Sequence, residues 1–308
     1  MQKLSEIIFS EYQTRKTKAQ KTAFIDLMKQ FYPDLQIEEG GMFSNRNIII
    51  GDVEHADFVL TAHYDTCARI PFPNFLAPKN LIATILYSLL IALPFLFLII
   101  AVEVLLLLLS VNEIAVATIA LILVFGSMFF IFYFGKPNEH TANDNTSGVI
   151  ALCELLETLT PEQKKHVAFV FFDNEEYGLL GSGFFRKLHK KNAHNFLLIN
   201  MDCISDGDHI LLVANKAARN KFGDLFKSSF QDADQKKFHF ENAATTLYPS
   251  DQMNFPVHLA IAAFHKKPLI GYYIDKIHTK HDTVFDEKNI ECICKGIQTF
   301  IEKAASVH

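Results

Sequence analysis

Outside one long apolar block, the hydrophobic positions of the chain alternate between helical and strand-like spacing. Within residues 3–31 the apolar residues recur at helical spacing, and Pro33 ends this pattern. The β-branched and aromatic runs at 47–50 and 58–62 predict strands. Beyond the block we predict helices at 147–159, 178–189, 217–230 and 286–305, and strands at 167–172, 196–201, 210–214 and 259–264. This order is typical of an α/β domain whose mainly parallel sheet carries helices on both faces.

The apolar block itself has the length and composition of a membrane hairpin. Residues 80–134 are apolar at 44 of 55 positions, and Glu103 and Glu113 are their only charged side chains. The two stretches 81–102 and 114–134 each have the roughly 20 residues that a helix needs to span a hydrocarbon core. The alternative is a buried hydrophobic hairpin in a soluble protein. We therefore predict a transmembrane helical hairpin at 80–135, inserted into a single discontinuous domain formed by residues 1–79 and 136–308.

The distribution of positive charge around this block predicts its orientation. Lys79 and Lys136 flank the block, whereas the connection at 110–113 has no positive residue. The positive-inside rule then places both flanking segments in the cytoplasm and residues 81–134 in the lipid bilayer of the cell (inner) membrane. The N-terminal residues lack the pattern of a secretory signal, and the five scattered cysteines are expected to be reduced thiols.

The overall charge argues against one large class of partners. The 308 residues include 29 Lys and Arg against 34 Asp and Glu, which gives a net charge of −5 and an isoelectric point of about 6.2. A nucleic-acid-binding domain usually has a basic surface. We therefore expect no nucleic-acid partner.

Acidic and histidine side chains recur where the predicted strands end. These residues are His63, Asp65, Asp144, Glu175, Glu176, Asp202 and His278. Ligands bind at the carboxyl ends of the strands in open α/β sheets, and His, Asp and Glu together form a ligand set that suits zinc. Each residue alone has an ordinary explanation, such as an exposed histidine or a helix cap. Their recurrence at five separate strand ends indicates a metal site.

Six short motifs containing these residues carry a family resemblance. They are His-Tyr-Asp-Thr (63–66), Ala-Asn-Asp-Asn-Thr-Ser-Gly-Val (142–149), Glu-Glu-Tyr-Gly-Leu-Leu-Gly-Ser (175–182), Met-Asp (201–202), Tyr-Pro-Ser-Asp-Gln-Met-Asn-Phe (248–255) and His-Thr-Lys-His-Asp-Thr (278–283). In this order they resemble the co-catalytic di-zinc aminopeptidases, zinc exopeptidases related to glutamate carboxypeptidases and glutaminyl cyclases. The resemblance covers most of the soluble chain. It implies a three-layer α/β/α zinc-exopeptidase fold with a mixed, mainly parallel central sheet.

The same resemblance implies two Zn²⁺ ions per chain, although other divalent metals are possible. The ligands it implies are His63 and Asp202 for one ion, Glu176 and His278 for the other, and Asp144 as a bridge between them. The family pattern His-Thr-x-x-Asp selects His278 rather than His281 as the last ligand.

The resemblance also implies roles for three residues that are not metal ligands. Glu175 corresponds to the general base that takes a proton from the attacking water and passes it to the leaving amine. Asp65 corresponds to a carboxylate that accepts the free ring N–H of His63, and Tyr248 to a tyrosine that steadies the oxyanion. A cis peptide bond is expected after Asp144.

Together these observations predict a membrane-anchored zinc metallo-aminopeptidase that acts on peptide substrates, including peptides released at the inner leaflet. One alternative is a carboxypeptidase, in which Arg69 or Lys280 would bind the substrate carboxylate. Others are a single-zinc acyltransferase similar to glutaminyl cyclase and a non-catalytic membrane scaffold. Side-chain preference and oligomeric state are not predicted.

Overall fold

Outside the apolar hairpin, the chain folds around one mixed β-sheet. The computed structural model describes residues 3–233 and 235–305. Its strands are β1 (Gln36–Gly40), β2 (Asn45–Ile50), β3 (Phe58–His63), β4 (Val167–Phe172), β5 (Leu197–Met201), β6 (His209–Ala214), β7 (Lys237–Asn242), β8 (His258–Lys267) and β9 (Gly271–Tyr273). The order is β1-β2-β4-β3-β5-β8-β6-β7, with β9 paired to β8. The four central strands β4, β3, β5 and β8 are parallel, whereas β1, β2 and β9 join the sheet by antiparallel pairing.

Helices cover both faces of this sheet. The α-helices of the described chain are α1 (Leu4–Glu11), α2 (Lys18–Phe31), α3 (Leu81–Leu108), α4 (Glu113–Phe134), α5 (Gly148–Thr158), α6 (Pro161–Lys164), α7 (Leu180–Leu188), α8 (Lys216–Ser229) and α9 (Glu287–Ala305), of which α3 and α4 form the apolar hairpin and do not cover the sheet. Helices α1, α2, α5, α8 and α9 contribute to one hydrophobic core, and α7 contributes to a second core on the opposite face. The predicted three-layer α/β/α fold is confirmed.

Side-chain alternation along strand β3 shows why both faces are buried. Phe58 and Leu60 point into the larger core, while Val59 between them points into the core beneath α7. Successive residues of a strand face opposite sides, and a parallel strand covered on both sides is therefore apolar throughout. All six residues of β3 are buried.

The first helical segment differs from the prediction. The helical spacing at 3–31 is interrupted, because α1 ends at Glu11 and α2 starts at Lys18, with Thr17 as its N-cap. Between them, the backbone N–H of Arg15 donates to Thr66 Oγ1 at 2.9 Å, and its guanidinium donates to the Tyr64 carbonyl at 2.5 Å. These long-range hydrogen bonds draw the connection towards the end of β3. The short, partly polar strands β1, β7 and β9 were not predicted either.

The apolar hairpin consists of α3 and α4, and α3 is longer than predicted because it continues to Leu108. No residue of α3 is buried, and α4 buries only Val116, Ala120 and Val124, whose spacing of four places them on one face. The hairpin is therefore not buried within the described chain. Both helices are long and apolar enough to cross a membrane, by length and composition.

The two chain segments that flank the hairpin meet at its base. Ala68 and Pro137 form an antiparallel bridge. The N–H of Arg69 donates to the Lys136 carbonyl at 2.8 Å, and the N–H of Asn138 donates to the Cys67 carbonyl at 3.1 Å. The hairpin thus emerges beside the carboxyl end of β3.

Candidate metal centre

Three of the five predicted metal ligands lie at the carboxyl ends of central strands, whereas the expectation of a strand end at Asp144 is wrong, because the element before it is α4. His63 is the last residue of β3, Glu176 follows β4, and Asp202 follows β5. Asp144 lies in a distorted helical turn, Ala142–Ser147, just before α5, and His278 lies in the loop after β9. Since β4, β3 and β5 are adjacent and parallel, their ends share one edge of the sheet.

Asp144 lies between the two histidines, and each of its oxygens faces a different one. Asp144 Oδ1 is 3.3 Å from His63 Nε2, and Asp144 Oδ2 is 3.1 Å from His278 Nε2. His63 Nε2 is also 3.5 Å from Asp202 Oδ1, and His278 Nε2 is 3.2 Å from Glu176 Oε2. The five side chains therefore form two groups that share one carboxylate.

The spacing and chemistry of this donor set fit divalent metal ions. Zinc binds nitrogen and oxygen at about 2.1 Å, so two ligands at a tetrahedral angle are about 3.4 Å apart, close to the distances above. Asp202 Oδ1 and Glu176 Oε1 are buried without a hydrogen-bond partner. Such orphaned oxygens are costly unless a cation or proton satisfies them. His63, Asp144 and Asp202 could hold one ion, and Glu176 and His278 could hold a second, with Cys67 close by.

The turn that carries Asp144 is fixed by neighbouring side chains. The carboxylate of Asp282 accepts the N–H of Asn143 at 2.8 Å and that of Asp144 at 3.0 Å. The side-chain amide of Asn145 donates to the Met201 carbonyl at 3.0 Å, which ties the turn to the end of β5. The peptide bond between Asp144 and Asn145 is cis, as the resemblance led us to expect.

Asp65 holds the turn that carries the two glutamates. Its Oδ1 accepts the N–H of Glu175 at 2.9 Å, and its Oδ2 accepts the N–H of Glu176 at 3.2 Å. We expected the carboxylate of Asp65 to contact the ring of His63, but the backbone carbonyl of Asp65 is closer. His63 Nδ1 lies 3.1 Å from this carbonyl oxygen and 3.6 Å from the carboxylate. Asp65 thus orients both the histidine and the neighbouring glutamates.

The site concentrates buried acid groups. Burial raises the pKa of Glu175 well above its usual range, and the charge of Glu176 adds to this shift. Burial likewise raises the pKa of Glu176 to about 7. Burial alone would lower the pKa of His278, but the carboxylates of Glu176 and Asp144 outweigh it and raise this pKa to about 9. The pocket is therefore short of positive charge, which a metal ion would supply.

The role expected for Tyr248 is not supported by its position. Its hydroxyl donates a hydrogen bond of 2.8 Å to the carbonyl of Asp202, and the side chain is buried. A phenol has one proton to donate, and here that proton is used. Tyr248 therefore supports the backbone that carries Asp202 and does not present a donor to an oxyanion.

Three residues considered as alternative carboxylate-binding or metal-binding groups lie outside the cavity at the candidate metal centre. Arg69, Lys280 and His281 are exposed, and none of them lines the cavity beside Glu176 and His278. The choice of His278 over His281 remains a prediction, with the geometry above in its favour.

Sequence reasoning missed two buried groups at the site. Asp251 is fully buried with neither carboxylate oxygen hydrogen-bonded in the described chain, and burial raises its pKa to about 7. Its place inside the motif at 248–255 is a signal that could have found it. Lys16 lines the cavity beside Glu176 from the connection between α1 and α2, and no sequence pattern marks it.

Comparisons with known proteins identify the family and the fold of the chain. The model of peptidase family M28 matches residues 127–293. A comparison with curated protein sequences finds no match. The structure resembles that of the LapA aminopeptidase of Legionella pneumophila at 12% identity and a TM-score of 0.56, over 97% of this chain and 67% of that one.

Two further solved structures match this chain over nearly the whole length of both proteins. A glutaminyl cyclase of Porphyromonas gingivalis is 16% identical over 97% of this chain and 94% of that one, with a TM-score of 0.57. A Zn-dependent exopeptidase of Parabacteroides distasonis is 14% identical over 96% of this chain and 97% of that one, also with a TM-score of 0.57. At these identities the likeness shows the fold. The family model matches more than half of the residues of this chain, and the chain therefore belongs to peptidase family M28.

Proposed function

We propose that the protein is a membrane-anchored zinc metallopeptidase that removes N-terminal residues from peptides. The observation that carries the proposal is the position of Asp144, whose two oxygens face His63 and His278 at 3.3 and 3.1 Å. Membership of a peptidase family supports hydrolysis of peptide bonds. The presence of all five predicted ligands argues against a non-catalytic scaffold.

His63 and Asp202 would hold one zinc ion, Glu176 and His278 the other, and Asp144 would bridge them. When bound, such a pair supplies Lewis acidity and lowers the pKa of a water molecule. The acidic pocket and the hydrogen bonds that the carboxylates of Asp65 and Asp282 accept from backbone N–H groups preorganise the ligands for this task.

Glu175 is the proposed general base. Its backbone is fixed through Asp65, and burial raises the pKa of its carboxyl group. A base with a raised pKa accepts a proton from the attacking water more readily and then donates it to the leaving amine nitrogen. Glu175 and Glu176 are consecutive, and only Glu176 lies within 3.2 Å of His278.

The hairpin is proposed to anchor this domain to the cytoplasmic side of the inner membrane. Both halves of the domain supply residues to the site, since His63 precedes the hairpin and Asp144 follows it. They must therefore lie on the same side of the bilayer, which requires an even number of crossings. The two exposed apolar helices and the flanking Lys79 and Lys136 fit this arrangement.

Product analysis with the purified full-length chain tests the proposal. We expect zinc-loaded protein in detergent micelles to release the N-terminal residue from a free peptide and to leave an N-acetylated peptide intact. Cleavage from the carboxyl end would instead indicate a carboxypeptidase. Cyclisation of an N-terminal glutamine without hydrolysis would indicate a glutaminyl-cyclase-like acyltransferase. Either result would overturn the aminopeptidase assignment.

A further inference from the structure

The cavity beside the candidate metal centre is bounded in part by the apolar hairpin. It has a volume of about 260 Å³ and is lined on one side by Glu176 and His278. On another side it is lined by Tyr87, Ser88 and Ile91 of α3 and by Phe132 of α4. The hairpin is therefore a wall of the site as well as a membrane segment.

Specific contacts hold this wall in place relative to the site. The hydroxyl of Tyr87 donates to the Pro73 carbonyl at 2.8 Å, and its ring centroid is 4.9 Å from that of Phe75. Further along the same connection, the N–H of Ile70 donates to the carbonyl of His278 at 2.9 Å. One short segment thus links the first turns of α3 to the loop that carries His278.

Lys16 is the one lysine or arginine that lines this cavity within the described chain. Its side chain is only 8% exposed. Its Nζ donates to the Tyr133 carbonyl at 2.9 Å and to the Tyr177 hydroxyl at 3.0 Å, and it lies 4.9 Å from the centroid of the Tyr177 ring. None of the ion pairs in residues 3–233 and 235–305 includes Lys16.

A buried ammonium group without an acidic partner is costly to maintain. An ammonium has three N–H donors, and the two contacts above use two of them. The third can serve an anionic group that enters the cavity from solvent. Part of the remaining wall is aromatic or aliphatic, formed among others by Phe72, Phe75, Ile91 and Phe132, and this part suits an apolar side chain.

We propose that Lys16 binds a carboxylate of the substrate while the hairpin residues of the cavity contact an apolar side chain of the same molecule. The inference rests on the proposed peptidase function and specifies its substrate class as short peptides with an apolar residue and a carboxylate. A cavity of about 260 Å³ is slightly smaller than the roughly 300–1,000 Å³ typical of small-molecule sites, which favours short ligands. The carboxylate is either the free C-terminus or an acidic side chain.

A purely structural role is the competing explanation for Lys16. Tyr133 lies in the last turn of α4, where a cation stabilises the carbonyl end of a helix. In that case substitution of Lys16 would change stability and would affect the binding of all peptides alike.

Peptide binding distinguishes these explanations without relying on turnover. Calorimetry would use the full-length, zinc-loaded Glu175→Gln chain in detergent and three peptides, Leu-Leu, Leu-Leu-amide and Glu-Leu-amide. We expect Leu-Leu to bind at least tenfold more tightly than Leu-Leu-amide if the C-terminus is the anchor. If an acidic side chain is the anchor, Glu-Leu-amide binds at least tenfold more tightly than Leu-Leu-amide. Equal binding of all three peptides would overturn the proposal before any variant is made.

The second part of the binding experiment substitutes Lys16 and measures the same three peptides. Lys16→Met should abolish the preference for the carboxylate peptide and leave Leu-Leu-amide binding within twofold, whereas Lys16→Arg should keep the preference. The matched control is Lys18→Met, an exposed lysine two residues away, which should behave as the parent. Equal weakening of all peptides, or no change, would contradict the proposal. If the chain with native Glu175 hydrolyses none of these or longer peptides, the proposed function fails instead.

The hairpin wall has its own test in the same assay. Ile91→Ala should weaken Leu-Leu more than Ala-Ala, because it removes apolar surface from the cavity. Leu93→Ala on the same helix does not line the cavity and should leave both affinities unchanged. Equal effects of the two substitutions would exclude the hairpin from the substrate site.

Discussion

Asp65 accepts a hydrogen bond of 2.9 Å from the backbone amide of Glu175. Its other oxygen accepts the amide of Glu176, and its carbonyl lies 3.1 Å from the ring of His63. One residue therefore sets the relative position of a proposed ligand from each of two adjacent strands and of the proposed base. This arrangement fixes the backbone from which both consecutive glutamates project.

Glu175→Gln tests the proposed base. The substitution keeps the shape of the side chain and removes its ability to accept a proton, so kcat should fall by about 10²- to 10⁴-fold. Steady-state kinetics on an aminoacyl substrate would measure this change, with Glu157→Gln on the exposed side of α5 as the control. Activity of the Glu175 variant within tenfold of the parent would exclude Glu175 as the base.

Tyr248→Phe separates a structural tyrosine from a catalytic one. The variant loses the hydrogen bond to the Asp202 carbonyl, which should lower the free energy of unfolding by about 1–2 kcal/mol. We expect kcat to fall less than tenfold, whereas loss of an oxyanion donor costs about 10²- to 10³-fold. Thermal unfolding and kinetics on the same preparation would measure both effects. A hundredfold loss of kcat with unchanged stability would restore the oxyanion role.

The fold and the edge of the sheet at which the proposed ligands meet were predictable, because both depend on local patterns. Buried parallel strands are continuous apolar runs, and the His, Asp and Glu residues that follow them meet at one edge of the sheet. The motif order then indicated a ligand set and a base, and the structure brings the side chains of the five proposed ligands together.

The remaining features depend on long-range packing that local patterns do not encode. Lys16 reaches the site because Arg15 is bound to the end of β3, which interrupts a segment with helical spacing. Tyr248 was assigned by resemblance, and only the position of the Asp202 carbonyl shows where its proton goes. The contact of Tyr87 and Ile91 with the cavity depends on how the hairpin packs at its base.

Asp206 provides a pH-dependent test of the loop that carries His278. Its carboxylate binds Lys276 at 2.9 Å and His265 at 2.8 Å. Burial alone would raise the pKa of Asp206, but these two hydrogen bonds outweigh it and hold the pKa below its usual range. A lowered pKa in the folded state stabilises the protein above the unfolded pKa of about 4, and this stabilisation is lost as the pH falls through the folded pKa.

Asp206→Asn should therefore lower the stability by about 1–2 kcal/mol at pH 7, a modest value because both partners are partly exposed. The difference from the parent should shrink as the pH is lowered from 5 to 3. Thermal unfolding across this range would measure it, with the exposed Asp224→Asn as the control. A difference that stays constant or grows at low pH would contradict the assignment.

Cysteine labelling tests the orientation of the hairpin. Leu109 lies at the exposed turn between α3 and α4, whereas Asn220 lies on α8 of the soluble domain. In a Cys292→Ser background, Leu109→Cys should react with a membrane-impermeant maleimide in intact spheroplasts, and Asn220→Cys should react only after lysis. The reverse pattern would place the domain outside the cytoplasm, and labelling of both only after lysis would exclude a spanning hairpin.

The metal content of the purified full-length chain tests the central claim most directly. Plasma mass spectrometry of zinc-loaded protein should give two zinc ions per chain, and Asp144→Ala should lose both while Asp224→Ala keeps them. This result is expected because the two oxygens of Asp144 face both histidines, at 3.3 and 3.1 Å. A parent protein with one zinc ion or none, or an Asp144→Ala variant that still holds two, would contradict a pair of ions bridged by this carboxylate.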